Sequence, residues 1–188
     1  VFAPWLDAEQ VMRERGIELF TWDTRQPVRE ADILALSLQY EMTFTNLLLM
    51  LDLAGIPLRR EARDDRHPLV LVGGPQADNP EPVADFVDLV VIGDGEHSMA
   101  AIIAECQRMK REGAGRRDMI LELARRFEWV YAPGLYDIDY HADGTVRALR
   151  PSAACPEGFL PQIPILRCES PDFEDLPVPL RPIVAHVP

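Results

Sequence analysis

The sequence predicts an α/β domain with a parallel β-sheet and helices on both of its faces, followed by a β-hairpin and an extended proline-rich tail. Unbroken apolar runs alternate with helical patterns, and strands that are buried on both faces have such runs. The composition, 188 residues with 47% hydrophobic and 27% charged side chains, is typical of a globular domain. The predicted strands cover residues 17–21, 33–37, 69–72 and 89–92.

Two helices are predicted in the first third of the chain. Asp7 is placed to cap a helix over residues 8–15, and Gly16 follows its last residue. A second helix begins after a cap at Thr43 or Thr45. Because this second helix is apolar on nearly all sides, we expect it to be well covered.

The remaining connections alternate between turns and helices. Residues 26–31 and 80–86 each predict a helical turn, and the charged residues 59–67 predict a solvated loop. Ser98 is placed to cap an amphipathic helix, and a further helix is predicted over residues 118–126. The apolar positions of the Ser98 helix are Met99, Ile102, Ile103, Cys106 and Met109.

The chain divides into three segments. Residues 1–127 contain the α/β pattern. In residues 128–150, polar and apolar residues alternate around an Asp143-Gly144 turn, which predicts a β-hairpin. Proline is concentrated in residues 151–188, which predicts an extended linker. This segment also carries many apolar side chains, so we expect it to lie along another surface.

Charge and cysteine content restrict the class of protein. A net charge of −12 would repel nucleic-acid backbones and anionic lipids, so neither partner is expected. No apolar run approaches the roughly 18 residues of a membrane span. The three cysteines are too few for a disulfide scaffold, which favours a reducing, cytoplasmic location. The first residue is Val1 rather than Met, which suggests a piece of a longer protein.

Two glycine turns are the strongest local motifs. Gly73-Gly74 follows a buried strand, and Gly93-Asp94-Gly95 lies between a strand and a helix, where backbone amides often bind phosphate. The alternative is that these glycines only permit tight turns. The nucleotide motif G-x-G-x-x-G is incomplete because Ser98 takes its last position, and the acidic Asp94 and Glu96 would repel phosphate. No metal site and no catalytic nucleophile set is predicted.

Residues 69–101, LVLVGGPQADNPEPVADFVDLVVIGDGEHSMAA, resemble the cobalamin-binding-like domain that precedes the catalytic core in many radical S-adenosylmethionine (SAM) enzymes. The resembling order is a strand ending in G-G-P, then N-P-E-P, then D-L-V-V-I-G-D-G-E. The similarity extends upstream to residues 1–5 and 37–41, and downstream through residues 133–136 and the proline-rich tail.

The resemblance implies a Rossmann-like, flavodoxin-type sheet whose first strand and helix would precede this sequence. It implies a radical SAM core soon after Pro188 in the same polypeptide. That core would hold a four-iron four-sulfur cluster on a C-x-x-x-C-x-x-C motif and cleave SAM reductively. It also implies that a crevice in this domain holds cobalamin or a substrate over the core. The lining residues would be Ser37, Gly73, Gly74, Gly93 and Gly95.

The sequence departs from the family pattern at two places. The D-x-H-x-x-G motif, whose histidine is the lower axial ligand of cobalamin, is absent, since Pro68 follows Asp65-Arg66-His67 and Val70 stands where the glycine belongs. After Ser37, Gln39 replaces the leucine of the S-x-L element. Two further functions therefore stay open. One is a ligand-free domain that packs on the core and positions a substrate, and the other is an independent nucleotide-dependent enzyme.

Overall fold

The computed structural model describes residues 2–153, 155–170 and 175–176, and within them it contains four α-helices and six β-strands. None of these helices is both long and apolar enough to cross a membrane. The helices are α1 (Leu6–Arg15), α2 (Thr43–Leu53), α3 (Gly95–Arg111) and α4 (Arg116–Arg126). The strands are β1 (Ile33–Ser37), β2 (Leu69–Gly73), β3 (Leu89–Val91), β4 (Val130–Tyr131), β5 (Tyr136–Tyr140) and β6 (Val146–Pro151).

A four-stranded sheet in the order β1-β2-β3-β4 forms the centre of the fold. β1, β2 and β3 are parallel, and Ser37 at the end of β1 lies opposite Gly73 at the end of β2. β4, which the sequence did not predict, runs antiparallel to β3. β5 and β6 form the predicted hairpin. The predicted α/β class is confirmed, with helices flanking a mainly parallel sheet that is consistent with a Rossmann-like fold.

The core lies against the two central strands. β2 and β3 are buried along almost their whole length, which explains why their sequences contain no polar side chain. Each fully buried aliphatic side chain contributes roughly 1.5–3 kcal/mol to folding. The helices that pack on the sheet supply completely buried side chains as well, namely Leu51 from α2, Ile102 from α3 and Leu123 from α4.

The prediction of a strand over residues 17–21 is wrong. This segment makes only an isolated antiparallel bridge, between Phe20 and Pro27. Its buried residue, Leu19, donates its amide to the carbonyl oxygen of Leu53 at the end of α2 and accepts from the amide of Val28. The apolar run is therefore explained by a turn that satisfies the carboxyl end of α2, and it is not part of the sheet.

Two helix starts differ from the predicted caps. Trp5 occupies the position before α1, and the Asp7 carboxylate, already inside the helix, accepts from the amide of Ala8. Thr43 is the first residue of α2, and its hydroxyl donates to the carbonyl oxygen of Tyr40 at 2.6 Å. In both places the side chain predicted to cap the helix lies inside it, at the second residue of α1 and at the first residue of α2.

A buried ionic cluster joins the amino ends of the strands. The carboxylate of Asp88, just before β3, accepts from the amide of Val70 at 2.7 Å and from the guanidinium groups of Arg63 and Arg116. Arg63 also donates to three backbone carbonyls. Residues 59–67 were predicted to be a solvated loop, but the Arg63 side chain in them is fully buried.

Candidate functional site at the carboxyl edge of the sheet

All five residues that the sequence singled out line one cavity of about 300 Å³. The cavity lies where parallel strands β1, β2 and β3 end, so residues far apart in sequence meet there. We call it the rim crevice. Its lining consists of Ser37, Gly73, Gly74, Gly93 and Gly95, together with Ala35, Leu36, Leu71, Val91 and Met99.

Gly74 is required by the loop that follows β1. It has a φ of +94°, and a Cβ built on it would lie 2.7 Å from Ser37 Oγ and 2.9 Å from the carbonyl oxygen of Leu38. Leu38 in turn donates its amide to Gly73 and accepts from the amide of Gln76. The chain's own backbone therefore explains Gly74 without any ligand.

Ser37 faces the crevice with a hydroxyl group that already has a partner. Its Oγ accepts from the side-chain amide of Gln39 at 2.6 Å. Gln39 is the residue that replaces the family leucine, so this departure supplies a polar partner for the serine. Both side chains are largely exposed.

Gly73 and Gly95 leave their backbone accessible from the crevice. A Cβ on Gly73 would make only ordinary contact, 3.6 Å from the carbonyl oxygen of Val91. A Cβ on Gly95 would meet nothing within 4 Å. Close packing within the described structure explains neither glycine, in contrast to Gly74.

Gly93 lies against the proline-rich tail. It has a φ of +107° and forms a parallel bridge with Cys168, and a Cβ on it would lie 2.6 Å from the amide nitrogen of Cys168. Cys168 donates to the carbonyl oxygen of Ile92 and accepts from the amide of Asp94, each at 2.9 Å. We call residues 165–170, which carry this contact, the strap.

The strap also occupies the amino end of α3. Asp94 precedes the helix, and its carboxylate accepts from the amide of Ser170 at 3.0 Å instead of capping α3. Ser98, predicted as the cap, lies inside the helix, is fully buried, and donates its hydroxyl to the carbonyl oxygen of Asp94. The amide and the carboxylate of Asp94 are thus both engaged by the strap, so neither is free for a phosphate or another ligand.

Sequence reasoning missed the strap, although the tail's apolar residues indicated that it would lie along some surface. Cys168 is 4% exposed, and burial, followed by the nearby Asp94 charge, raises the pKa of its thiol. This protonated thiol is a weak nucleophile. Within the described residues, no group of three or more His, Cys, Asp and Glu side chains could hold a metal ion.

A larger cavity, of about 570 Å³, lies at the opposite edge of the sheet. Its apolar floor includes Ile33, Leu69 and Cys106, and the ion pair between Lys110 and Asp32 lies at its rim. None of the five site residues predicted from the sequence lines this larger cavity.

A family model described as "Radical SAM proteins, N-terminal" matches residues 1–133, more than half of the chain. The comparison with curated proteins found no match. The comparison with solved structures found none either.

Proposed function

The chain belongs to the radical SAM proteins, whose N-terminal domain it matches, and we propose that it docks on a downstream radical core and positions a substrate there. The observation that carries this proposal is the strap, which holds the tail at the same edge as the rim crevice. The polypeptide that follows the strap therefore starts from the edge where the crevice opens, and tethering raises the effective concentration of whatever it carries.

Exposed apolar side chains at this edge support a docking role. Tyr40 and Met42 lie in the loop after β1 and are 54% and 76% exposed. Exposed apolar groups beside a cleft are typical of interaction surfaces. In this proposal they contact the core, and the four-iron four-sulfur cluster and SAM are held by that core.

Cobalamin fits the rim crevice poorly. The strap fills the space above Gly93, Ser37 and Leu38 fill the space beside Gly74, and the ligand-histidine motif is absent. A cobalamin- or substrate-holding domain is the second candidate function. The observation that favours it is the single cavity that gathers all five predicted residues. An independent nucleotide-binding enzyme has less support, because Asp94 and the strap occupy the amino end of α3.

Docking can be tested in the full-length polypeptide by photo-crosslinking. A benzoylphenylalanine placed at position 42 should crosslink to peptides of the downstream core. The matched control is position 140 in the hairpin, where Tyr140 is 53% exposed. Crosslinks to the core from position 42 but not from position 140 support the proposal. Equal yields, or none from position 42, contradict it.

The second candidate has its own test. Hydroxocobalamin is added to the full-length polypeptide, and its visible spectrum is followed through gel filtration. Co-elution at a one-to-one ratio supports a cobalamin-holding domain, and elution of the protein without colour contradicts cobalamin binding by the unmodified chain.

A further inference from the structure

The strap forms one isolated parallel bridge beyond the carboxyl end of β3. Backbone hydrogen bonds join Cys168 to both neighbours of Gly93, since its amide donates to Ile92 and its carbonyl oxygen accepts from Asp94. This is the way extended peptides bind to sheet edges, with main-chain groups providing the affinity. Here the extended peptide belongs to the same chain.

Further contacts hold the strap on both sides of Cys168. Leu166 donates its amide to the carbonyl oxygen of Glu128 at 2.8 Å. The Arg167 guanidinium lies 3.1 Å from the carboxylate of Asp78, in the turn after β2. Ser170 donates its amide to Asp94, as described above. The strap therefore spans from β4 to α3 across the rim, with contacts at four of its residues.

The strap uses the groups that a ligand would need. In a strand-to-helix turn, an anionic ligand binds free amides close to a glycine. The amide of Asp94 instead donates to the carbonyl oxygen of Cys168. The backbone of Cys168 also fills the space that a side chain on residue 93 would need. Two occupants cannot use the Asp94 amide and this space at once.

We propose that residues 165–170 are the resident occupant of the rim crevice at Gly93, and that strap docking and ligand binding there exclude each other. This inference rests on the proposed function, in which the same edge faces the core. Because linkage is reciprocal, a ligand that enters at Gly93 releases the strap, and a core that pulls on the tail opens the crevice.

The experiment uses the full-length polypeptide and releases the strap by a substitution within the strap itself. Cys168→Pro removes the amide that donates to Ile92. Glu169→Ala is the matched control, because Glu169 is an exposed neighbour in the strap. Hydrogen exchange of the Asp94 amide should be roughly threefold to tenfold faster in Cys168→Pro, the range expected for one lost hydrogen bond. The Glu169→Ala rate should equal that of the unmodified chain. Equal rates in all three proteins overturn the proposal.

Hydroxocobalamin is then the probe for exclusion. Retention by Cys168→Pro alone supports the proposal, as does retention by the unmodified chain with faster exchange of the Cys168 amide. Retention of hydroxocobalamin by the unmodified chain, with no change in the exchange rate of the Cys168 amide, overturns the proposal. Retention by neither protein overturns exclusion by the strap as tested with hydroxocobalamin, because release of the strap would then open no space that this probe can enter. Crosslinking from position 42 tests docking on the core independently of the strap. A negative result for strap exclusion can therefore be distinguished from a negative result for docking.

Discussion

Gly93 and Cys168 lie so close together that any side chain at position 93 would overlap the backbone of residue 168. The two residues are 75 positions apart, yet they are joined as a parallel bridge at the carboxyl edge of the sheet. A glycine that in sequence looks ready for a ligand is therefore explained by contact with the chain's own tail.

Substitution at Gly93 should release the strap. Gly93→Ala places a Cβ in the strap and imposes a positive φ on a residue with a side chain, a strain that costs about 1–3 kcal/mol. Urea unfolding should show this loss, and tryptic cleavage after Arg167 should become faster. Gly95→Ala is the control, because a Cβ there meets nothing within 4 Å and α3 gains a better helix former. Unchanged cleavage in Gly93→Ala would contradict the strap contact.

A second pair of glycines distinguishes the stability lost through close contact from the stability lost through backbone strain. Gly74 and Gly144 both have positive φ, +94° and +85°, but only Gly74 lies against other atoms. Gly74→Ala should therefore be the more destabilising change, because it must push away the loop at Ser37 and Leu38. Overpacking of this kind typically adds about 1–3 kcal/mol. Urea unfolding of the two variants measures the difference, and equal losses would show that strain alone acts.

Asp88→Asn should be strongly destabilising. It removes a carboxylate that contacts both Arg63 and Arg116, and all three side chains are nearly fully buried. Burial, the main cause, already lowers the pKa of Arg63, and Asp88 opposes that shift. Breaking a buried ionic cluster costs about 3–5 kcal/mol.

Asp85→Asn is the matched control for Asp88→Asn, since Asp85 pairs with Arg59 at the exposed surface. Exposed pairs contribute about 1 kcal/mol or less. Urea unfolding of both variants makes the comparison. A loss at Asp88 no larger than that at Asp85 would mean that the backbone carbonyls alone stabilise the two arginines.

Cys106 should make stability fall in alkaline solution. Burial, followed by the charges of Glu105 and Asp32, raises the pKa of its thiol to about 11. The unfolded thiol ionises at about pH 8.5. The thiol's contribution is therefore complete below that pH and is lost as the pH rises towards 11. Melting temperatures at pH 8, 9 and 10 should fall more steeply for the unmodified chain than for Cys106→Ala. Parallel slopes would contradict the shift.

The order and type of the main elements could be predicted from local sequence. Three mainly apolar runs became β1, β2 and β3, and the two central strands among them, β2 and β3, are buried on both faces and so need apolar side chains throughout. The same rule failed for residues 17–21. In this segment the amide of Leu19 donates to the carbonyl oxygen of Leu53 at the end of α2. An apolar run by itself does not distinguish a strand from a buried turn.

The shared position of Ser37, Gly73 and Gly93 also followed from the sequence. Parallel strands joined by crossovers end at one edge, so the residues after them meet whatever the details of packing. What lies on that edge could not be predicted. The tail reaches it through backbone hydrogen bonds at Cys168, and main-chain donors and acceptors are the same in every residue and leave no sequence pattern. The sequence by itself thus determined where the crevice forms. Only the tertiary structure decided that the chain's own backbone occupies one side of it.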